Sequence, residues 1–216
     1  MMTQGRARSG EDATAAHGMV IIVDDDPSVR ASLDSLLRSV GFVTRQHASP
    51  AELLAMPVPD MPGCIILDVR LPGISGLDLQ RQLVASGVAM PIVFMTGYAD
   101  VPMTVRAMKA GALDFLPKPF RDQEMLDAVA AAVASDRERR KAAAATDELR
   151  KRYETLSQRE REVMGHVVAG LMNKQVAGRI GLSEITVKIH RGNAMRKMKA
   201  RSLAELVRQA EALGLP

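Results

Sequence analysis

Four short apolar segments in the first 120 residues each lead into a charged or hydroxyl side chain. The residues at the four ends are Asp24, Asp25 and Asp26, then Asp68, then Thr96, then Lys118. A single aspartate in such a position is most often a turn residue, but four polar ends in succession are hard to explain as turns alone. Crowded carboxylates repel one another unless a cation neutralises them, and oxygen ligands without His or Cys favour Mg²⁺.

Taken together, these side-chain types can accept a phosphoryl group. A carboxylate such as that of Asp68 can act as a nucleophile toward phosphorus and form an aspartyl phosphate. Mg²⁺ and the ammonium group of Lys118 would stabilise the charge on the phosphoryl oxygens, and the hydroxyl of Thr96 would hydrogen-bond to one of them. The pattern therefore predicts a phosphoryl-acceptor site that uses Mg²⁺.

The apolar segments must belong to one sheet if their ends are to meet. Five such segments alternate with stretches whose apolar residues recur at helical spacing, from Met19 to about residue 134. This alternation predicts a five-stranded parallel sheet covered by helices on both faces. In such a sheet the ligand site lies outside the carboxyl ends of the strands, and the polar residues fall at those ends.

Four segments of this half resemble the receiver domain of two-component response regulators, an α/β domain with a flavodoxin- or CheY-like fold. They follow the order and spacing of that family and are VIIVDDDPSVR, IILDVRLPGISGLDL, IVFMTGYAD and FLPKPF. Each segment is weak alone but the set is specific, and the resemblance covers roughly residues 19–134. It implies a sensor histidine kinase as the phosphoryl donor and Mg²⁺ as the cofactor.

The resemblance also implies a role for individual positions. Asp68 would be the phospho-acceptor, and Thr96 and Phe115 would be the residues that move on phosphorylation. Lys118 would bind the phosphate, and its bond to Pro119 would be cis, as is usual in the family. The implied Mg²⁺ ligands are the carboxylates of Asp24, Asp25 and Asp68 and the backbone carbonyl of Arg70.

Charge is divided unevenly along the 216-residue chain. Residues 19–134 carry 9 basic and 13 acidic side chains, whereas residues 135–216 carry 18 basic and 10 acidic ones. The stretch 174–201 contains eight basic residues and one acidic residue. An acidic half joined to a basic half indicates two domains with different partners, and the basic half favours nucleic acid if a binding motif underlies it.

Other features of the composition exclude several classes of protein. A single cysteine, Cys64, excludes a disulfide framework and a cysteine-based zinc site. No apolar run approaches the length of about 18 residues that a membrane-spanning helix needs. The protein is therefore expected to be cytoplasmic and without a membrane partner, and residues 1–18 are expected to form a disordered tail.

The second half is predicted to be helical throughout. Residues 135–156 are rich in Ala, Arg and Glu and predict a helical linker, either a coiled coil or a solvated single helix. Residues 157–216 predict an all-α domain of four short helices. Ser157 begins a capping box, Asn173 is placed to cap the second helix, and Gly181 forms the turn of a helix-turn-helix.

The third helix of such a domain enters the major groove of DNA and needs a polar, basic exposed face. In the segment that runs from Glu184 to Lys199, Ile185 is expected to face the core together with Val187. The residues expected on the DNA side are Thr186, Lys188, His190, Arg191 and, near the end of the helix, Arg196.

This half resembles the four-helix DNA-binding domain of the LuxR and NarL type. The resemblance covers about residues 155–216 and rests on LSQREREVMGHVVAGLMNKQVAGRIGLSEITVKIHRGNAMRKM. With the receiver it gives the architecture of the NarL and FixJ response regulators, and the sequence is most similar to the FixJ- and StyR-like branch. The positions implied to contact DNA are Lys188 and Ile189 in the groove, and Lys174, Thr186 and Arg191 near the DNA backbone. Gly192 departs from the family, because relatives often carry a polar or basic residue there.

These features lead to one main hypothesis and two alternatives. The chain is expected to be a transcription regulator rather than an enzyme, with a receiver that assists its own phosphoryl transfer and dephosphorylation. Phosphorylation of Asp68 would promote a homodimer that binds double-stranded promoter DNA, and RNA polymerase is a further candidate partner. One alternative is a DNA-binding regulator that acts without phosphorylation and uses the receiver to dimerise. The other is a phosphatase with an aspartyl nucleophile, because Asp24 and Asp26 have the DxD spacing of haloacid-dehalogenase-like enzymes.

Overall fold

The computed structural model describes residues 17–57, 59–97 and 100–215. The chain divides into two compact units, the first extending to Arg140 and the second starting at Lys141. Most of the predicted disordered tail, residues 1–16, lies outside the described residues. In the part of the chain that the structure describes, no helix is both long enough and apolar enough to span a bilayer.

The first unit is built on a parallel sheet, as the sequence predicts. Its strands are β1 (Met19–Val23), β2 (Val43–His47), β3 (Gly63–Asp68), β4 (Ile92–Thr96) and β5 (Asp114–Pro117), in the order β2-β1-β3-β4-β5. Every neighbouring pair is parallel. The helices are α1 (Pro27–Ser39), α2 (Pro50–Leu54), α3 (Gly76–Ala85), α4 (Val101–Lys109) and α5 (Asp122–Glu154).

The strands β1, β3 and β4 are buried on both faces of the sheet, which is why they are apolar runs rather than alternating ones. On one face Ile21, Ile65 and Phe94 pack in a cluster with residues of α2, α3 and α4. On the other face Ile22 and Val93 pack in a cluster with residues of α1 and the first turns of α5.

The strand order reverses beside β1, and this reversal creates the crevice in which ligands bind in such folds. After β1 the chain crosses to β2 on one side, and after β2 it crosses back to β3 on the other side. The ends of β1 and β3 are paired, with Val23 opposite Leu67. The acidic residues that follow Val23 and Leu67 are therefore brought together at the carboxyl edge of the sheet.

Helix α5 is a single element of 33 residues. Its apolar residues as far as Val133 pack against the sheet. Asp136 is completely buried, whereas residues 141–145 are all exposed. The stretch predicted to be a helical linker is helical as far as Glu154, in one element with the helix that packs on the sheet. The coiled-coil alternative for that stretch stays a prediction.

The second unit contains the four predicted helices, α6 (Gln158–Val168), α7 (Asn173–Ile180), α8 (Glu184–Met198) and α9 (Leu203–Ala212). Ser157 begins α6 with the predicted capping box: its hydroxyl accepts from the Glu160 backbone N–H, and the Glu160 carboxylate accepts from the Ser157 N–H. Gly181 ends α7 in the left-handed conformation, at φ 66°, which glycine adopts without a steric penalty.

Two local predictions for the second unit are wrong. Asn173 does not cap α7: it is the first helical residue, and Met172 precedes the helix with its N–H bonded to the Gln175 side chain at 2.9 Å. Ile185 does not face the core and is 73% exposed, whereas Val187 is fully buried. Residues two positions apart in an α-helix point about 200° away from each other around the helix axis. Ile185 and Val187 therefore cannot both point inward.

Candidate functional sites

Three carboxylates meet at the carboxyl edge of the sheet, as predicted. Asp24 follows β1 and is 1% exposed, Asp68 ends β3 and is 8% exposed, and Asp25 is exposed. One oxygen of each carboxylate lies within 4.8 Å of those of the other two. Three like charges at this separation need a positive partner to remain ionised together.

Lys118 supplies a positive charge directly. Its Nζ donates to Asp24 Oδ2 at 2.7 Å and to Asp68 Oδ2 at 2.8 Å. Burial alone would lower the pKa of Lys118, but the hydrogen bonds to the two carboxylates outweigh it and raise the pKa. Burial raises the pKa of Asp24, partly opposed by its bond to Lys118. The ammonium group is therefore held charged between the two acids.

The position of Lys118 is fixed by its own backbone. Its N–H donates to the carbonyl of Thr96 at 2.7 Å, directly after the paired strands β4 and β5. The peptide bond between Lys118 and Pro119 is cis, as the family resemblance implies. Lys118 thus reaches Asp68, which lies 50 positions earlier in the chain.

The acidic cluster fits a small divalent cation by its chemistry. All its side-chain donors are carboxylate oxygens, the ligands that Mg²⁺ prefers. One oxygen of each buried carboxylate is oriented by a backbone N–H: Asp24 Oδ1 accepts from Asp26 at 2.8 Å and Asp68 Oδ1 from Arg70 at 2.9 Å. Arg70, whose carbonyl is a predicted ligand, therefore contacts Asp68 directly through its amide.

The two predicted switch residues lie on neighbouring strands. Thr96 is the last residue of β4 and is fully buried. Phe115 lies on β5, opposite Phe94, and is half-buried. The rings of Phe94 and Phe115 have centroids 6.2 Å apart. Phe115 packs only partly into the core, so its side chain has one face that the core does not hold.

One residue that orders the acidic loop is missed by sequence reasoning. The Nη1 of Arg30 on α1 donates to the backbone carbonyls of Asp24 at 2.7 Å and Asp25 at 3.0 Å. Asp26 caps α1 by accepting from the N–H and hydroxyl of Ser28. Backbone acceptors leave no mark in the sequence, so the only available signal was the position of Arg30 one turn into the helix.

Gly76, the first residue of α3, lies directly against the backbone of Asp68. A Cβ at this position would lie 2.4 Å from the Asp68 carbonyl oxygen and 3.0 Å from Val69 Cα. Both are backbone atoms that cannot move aside. We expect Gly76→Ala to lower the free energy of unfolding by about 1–3 kcal/mol, the usual cost of overpacking, and to slow phosphorylation by displacing Asp68.

Chemical denaturation and the rate of phosphorylation by acetyl phosphate would measure both effects. Gly178→Ala is the matched control, because a Cβ on this helical glycine meets nothing within 4 Å. Gly76→Ala with wild-type stability and rate would show that the strand adjusts to the extra carbon.

The residues predicted to contact DNA fall into two groups. The exposed ones are Lys174 at the start of α7 and, on α8, Lys188, Ile189 and Arg196. Thr186, His190 and Arg191 are half-buried. Arg191 Nη1 donates to the Asn173 side chain at 3.1 Å, which ties α8 to the start of α7. Thr186 Oγ1 lies 2.8 Å from the hydroxyl of Ser183, the cap of α8.

Two families of known proteins match the chain. The one described as "Response regulator receiver domain" matches residues 20–130. The one described as "Bacterial regulatory proteins, luxR family" matches residues 154–210. The first match contains the acidic cluster and Lys118, and the second contains all of α6, α7 and α8.

Individual proteins and structures match over nearly the whole chain. "Nodulation protein W" of Bradyrhizobium diazoefficiens is 53% identical over 97% of this chain and 92% of its own length. "Transcriptional regulatory protein FixJ" of Azorhizobium caulinodans is 48% identical, over 91% of this chain and 93% of its own length. The solved structure of "Response Regulator StyR" is 48% identical, with a TM-score of 0.79 over 90% of this chain and 98% of that one.

Proposed function

Because the chain belongs to the response regulators that join a receiver domain to a LuxR-type DNA-binding domain, we propose that phosphorylation of Asp68 controls its binding to promoter DNA. The observation that carries the proposal is the pairing of one Lys118 ammonium with both Asp24 and Asp68. The phosphoryl donor is a sensor histidine kinase, the partner that a receiver domain implies. The protein acts in the cytoplasm, where bacterial promoters are found.

In the phosphoryl transfer, a carboxylate oxygen of Asp68 attacks phosphorus while the bond from phosphorus to the donor breaks. Lys118 then binds a phosphoryl oxygen in place of its present contact with Asp68 Oδ2. Asp24, Asp25, Asp68 and the Arg70 carbonyl would hold Mg²⁺, which supplies further charge neutralisation when bound. The amide of Arg70 keeps the other oxygen of Asp68 oriented.

The transferred group brings a charge of about −1.5 to −2 to the edge of the sheet. We expect the Thr96 hydroxyl to bind one phosphoryl oxygen and Phe115 to pack inward behind it. Helix α4 borders this region and exposes an apolar stripe of Val101, Val105 and Met108. Repacking of α4 and β5 would present that stripe to a second copy of the chain, giving a homodimer.

A dimer presents two helix-turn-helix domains to two half-sites, and this geometry raises the affinity for a paired site. The phosphatase alternative is weaker, since the second carboxylate of its DxD motif, Asp26, is used to cap α1. A regulator that binds DNA without phosphorylation stays the stronger alternative. RNA polymerase is a further partner of the bound dimer.

The test is the affinity of the full chain for duplex DNA selected from a random-sequence library, at one fixed salt concentration. We expect acetyl phosphate with Mg²⁺ to raise both the affinity and the dimer fraction of the wild type, and to change neither in Asp68→Asn. Fluorescence anisotropy and sedimentation velocity measure the two quantities. A wild-type affinity that does not respond would support the phosphorylation-independent alternative.

A further inference from the structure

Helix α8 carries two isoleucines on its exposed face. Ile185 is 73% exposed and Ile189, one turn later, is 58% exposed. Isoleucine is among the residues most often buried, and the core contacts of α8 are already made by Val187, Ala194 and Met198. The two exposed side chains therefore add little to the packing of their own domain.

The surroundings of this pair are cationic. Lys188 lies beside it and Arg196 lies further along the same face, and both are exposed. The acid on α8, Glu184, lies at its first turn. Eight basic residues and one acidic residue occupy residues 174–201. An apolar surface of another protein would not bind so many cations. The phosphates of duplex DNA would, because they are negatively charged.

The next turn of the exposed face has no side chain at all. Gly192 lies inside α8, where glycine makes a helix less stable than alanine does, and a Cβ there would meet nothing within 4 Å. Packing within the chain therefore gives no reason for a glycine. A close approach of the helix backbone to a bound molecule would give one.

We propose that Ile185, together with Ile189, reads the 5-methyl groups of thymines in the major groove, and that Gly192 lets α8 approach the bases closely. This inference rests on the proposed function, in which α8 enters that groove. The methyl group distinguishes A·T from the other pairs on the major-groove side. Side chains one helical turn apart have Cβ atoms about 5–6 Å apart, so each half-site should contain two thymines within about two base steps.

The test replaces single thymines by deoxyuridine, which removes only the methyl group. Duplexes selected from a random library by the phosphorylated full chain serve as probes. At each of the two thymines of a half-site we expect deoxyuridine to weaken wild-type binding about fourfold, the effect of removing one apolar methyl-sized contact. In Ile185→Ala the replacement should have no effect at one of the two thymines and keep its effect at the other, which Ile189 reads. Leu203→Ala, which shortens an exposed apolar side chain of α9, should keep the fourfold loss at both.

Each other outcome overturns the proposal in a distinguishable way. If deoxyuridine weakens wild-type binding at no thymine, or if Ile185→Ala keeps its full sensitivity at both thymines, Ile185 does not read a methyl group. A changed dimer fraction of Ile185→Ala without a change in deoxyuridine sensitivity assigns the isoleucines to a protein contact. Failure to select any sequence overturns the proposed function itself.

A second pair of variants tests the close approach at Gly192. Gly192→Ala and Gly165→Ala both replace an exposed helical glycine with open space around it, so both should raise the thermal midpoint. Only Gly192→Ala should also lose affinity for the selected duplex. Equal affinity of the two variants would contradict a close approach of α8 to DNA.

Discussion

Replacement of Asp136 by alanine is expected to destabilise the receiver by about 3 kcal/mol, in the lower part of the range of about 3–5 kcal/mol for breaking a buried ion pair. Asp136 is fully buried on α5, and Oδ2 accepts from the Gly63 N–H at 3.0 Å, at the start of β3. Its two oxygens also accept from Arg139 and Arg140. Alanine would leave the buried Gly63 N–H without its partner and would remove the Asp136 carboxylate from the guanidinium groups of Arg139 and Arg140.

The lower part of the range applies because both arginines reach solvent, which screens their charge. Arg140 also binds Asp60 at 2.6 Å and so retains one partner. The midpoint of receiver unfolding in urea, followed by circular dichroism, measures the loss. Asp147→Ala is the matched control: Asp147 lies on the same helix, is exposed and pairs with Lys151, and its loss should change the midpoint little.

The pH dependence of this difference follows from the pKa of Asp136. Burial would raise the pKa, but the hydrogen bonds from Arg140 and Arg139 outweigh it and lower the pKa below its usual value of 3.8. A carboxyl group with a lowered pKa stabilises the fold above its usual pKa, and that stabilisation disappears as the pH falls through the lowered one. The difference in free energy of unfolding between the wild type and Asp136→Ala should therefore be constant from pH 7 to about 4 and become smaller below that pH. A difference that widens on acidification would show that the carboxyl group is protonated in the fold.

Lys118→Met is expected to slow phosphorylation of Asp68 by roughly 100- to 1000-fold, the effect of removing one preorganised charge-stabilising donor. Methionine is similar in length but carries no charge. Without the ammonium group, the oxygens of Asp24 and Asp68 that it now contacts would repel each other. The same variant should therefore bind Mg²⁺ more tightly than the wild type, because the cation no longer competes with the lysine.

Two measurements separate these effects. The effect on phosphorylation is measured as the initial rate of adduct formation with acetyl phosphate, at a Mg²⁺ concentration that saturates both proteins. The affinity for Mg²⁺ is measured by calorimetric titration. Lys109→Met removes an exposed lysine from α4 and should leave both unchanged. If Lys118→Met were phosphorylated at the wild-type rate, Lys118 would have no role in the phosphoryl transfer. If Lys118→Met bound Mg²⁺ more weakly than the wild type, Lys118 would not compete with the cation for the carboxylates.

The arrangement of the acceptor site could be predicted because it depends on strand ends. Once the apolar runs are assigned to one parallel sheet, the residues that follow β1, β3, β4 and β5 must lie at the same edge. No contact had to be known in advance for Asp24, Asp68 and Lys118 to meet. The four helices of the second unit could also be predicted from local signals, because capping residues and glycines mark helix ends.

Contacts between distant residues could not be predicted in this way. The bond from Gly63 to Asp136 spans 73 positions and the bond from Arg140 to Asp60 spans 80, and no periodicity records either. The prediction that Ile185 faces the core rests on its hydrophobicity. It is wrong because the helical angle between Ile185 and Val187 lets only one of them point inward. The prediction that Asn173 caps α7 is wrong by one position, because the helix already begins at Asn173. The N–H of the preceding residue, Met172, is bonded to the side chain of Gln175 inside the helix.

Transfer of a phosphoryl group to Asp68 can be read from the intact mass of the protein. The full chain and Asp68→Asn are each incubated with acetyl phosphate and Mg²⁺ and weighed by mass spectrometry. We expect one added phosphoryl group on the wild type and none on Asp68→Asn. An adduct of equal amount on both proteins, or none on either, would contradict transfer to Asp68.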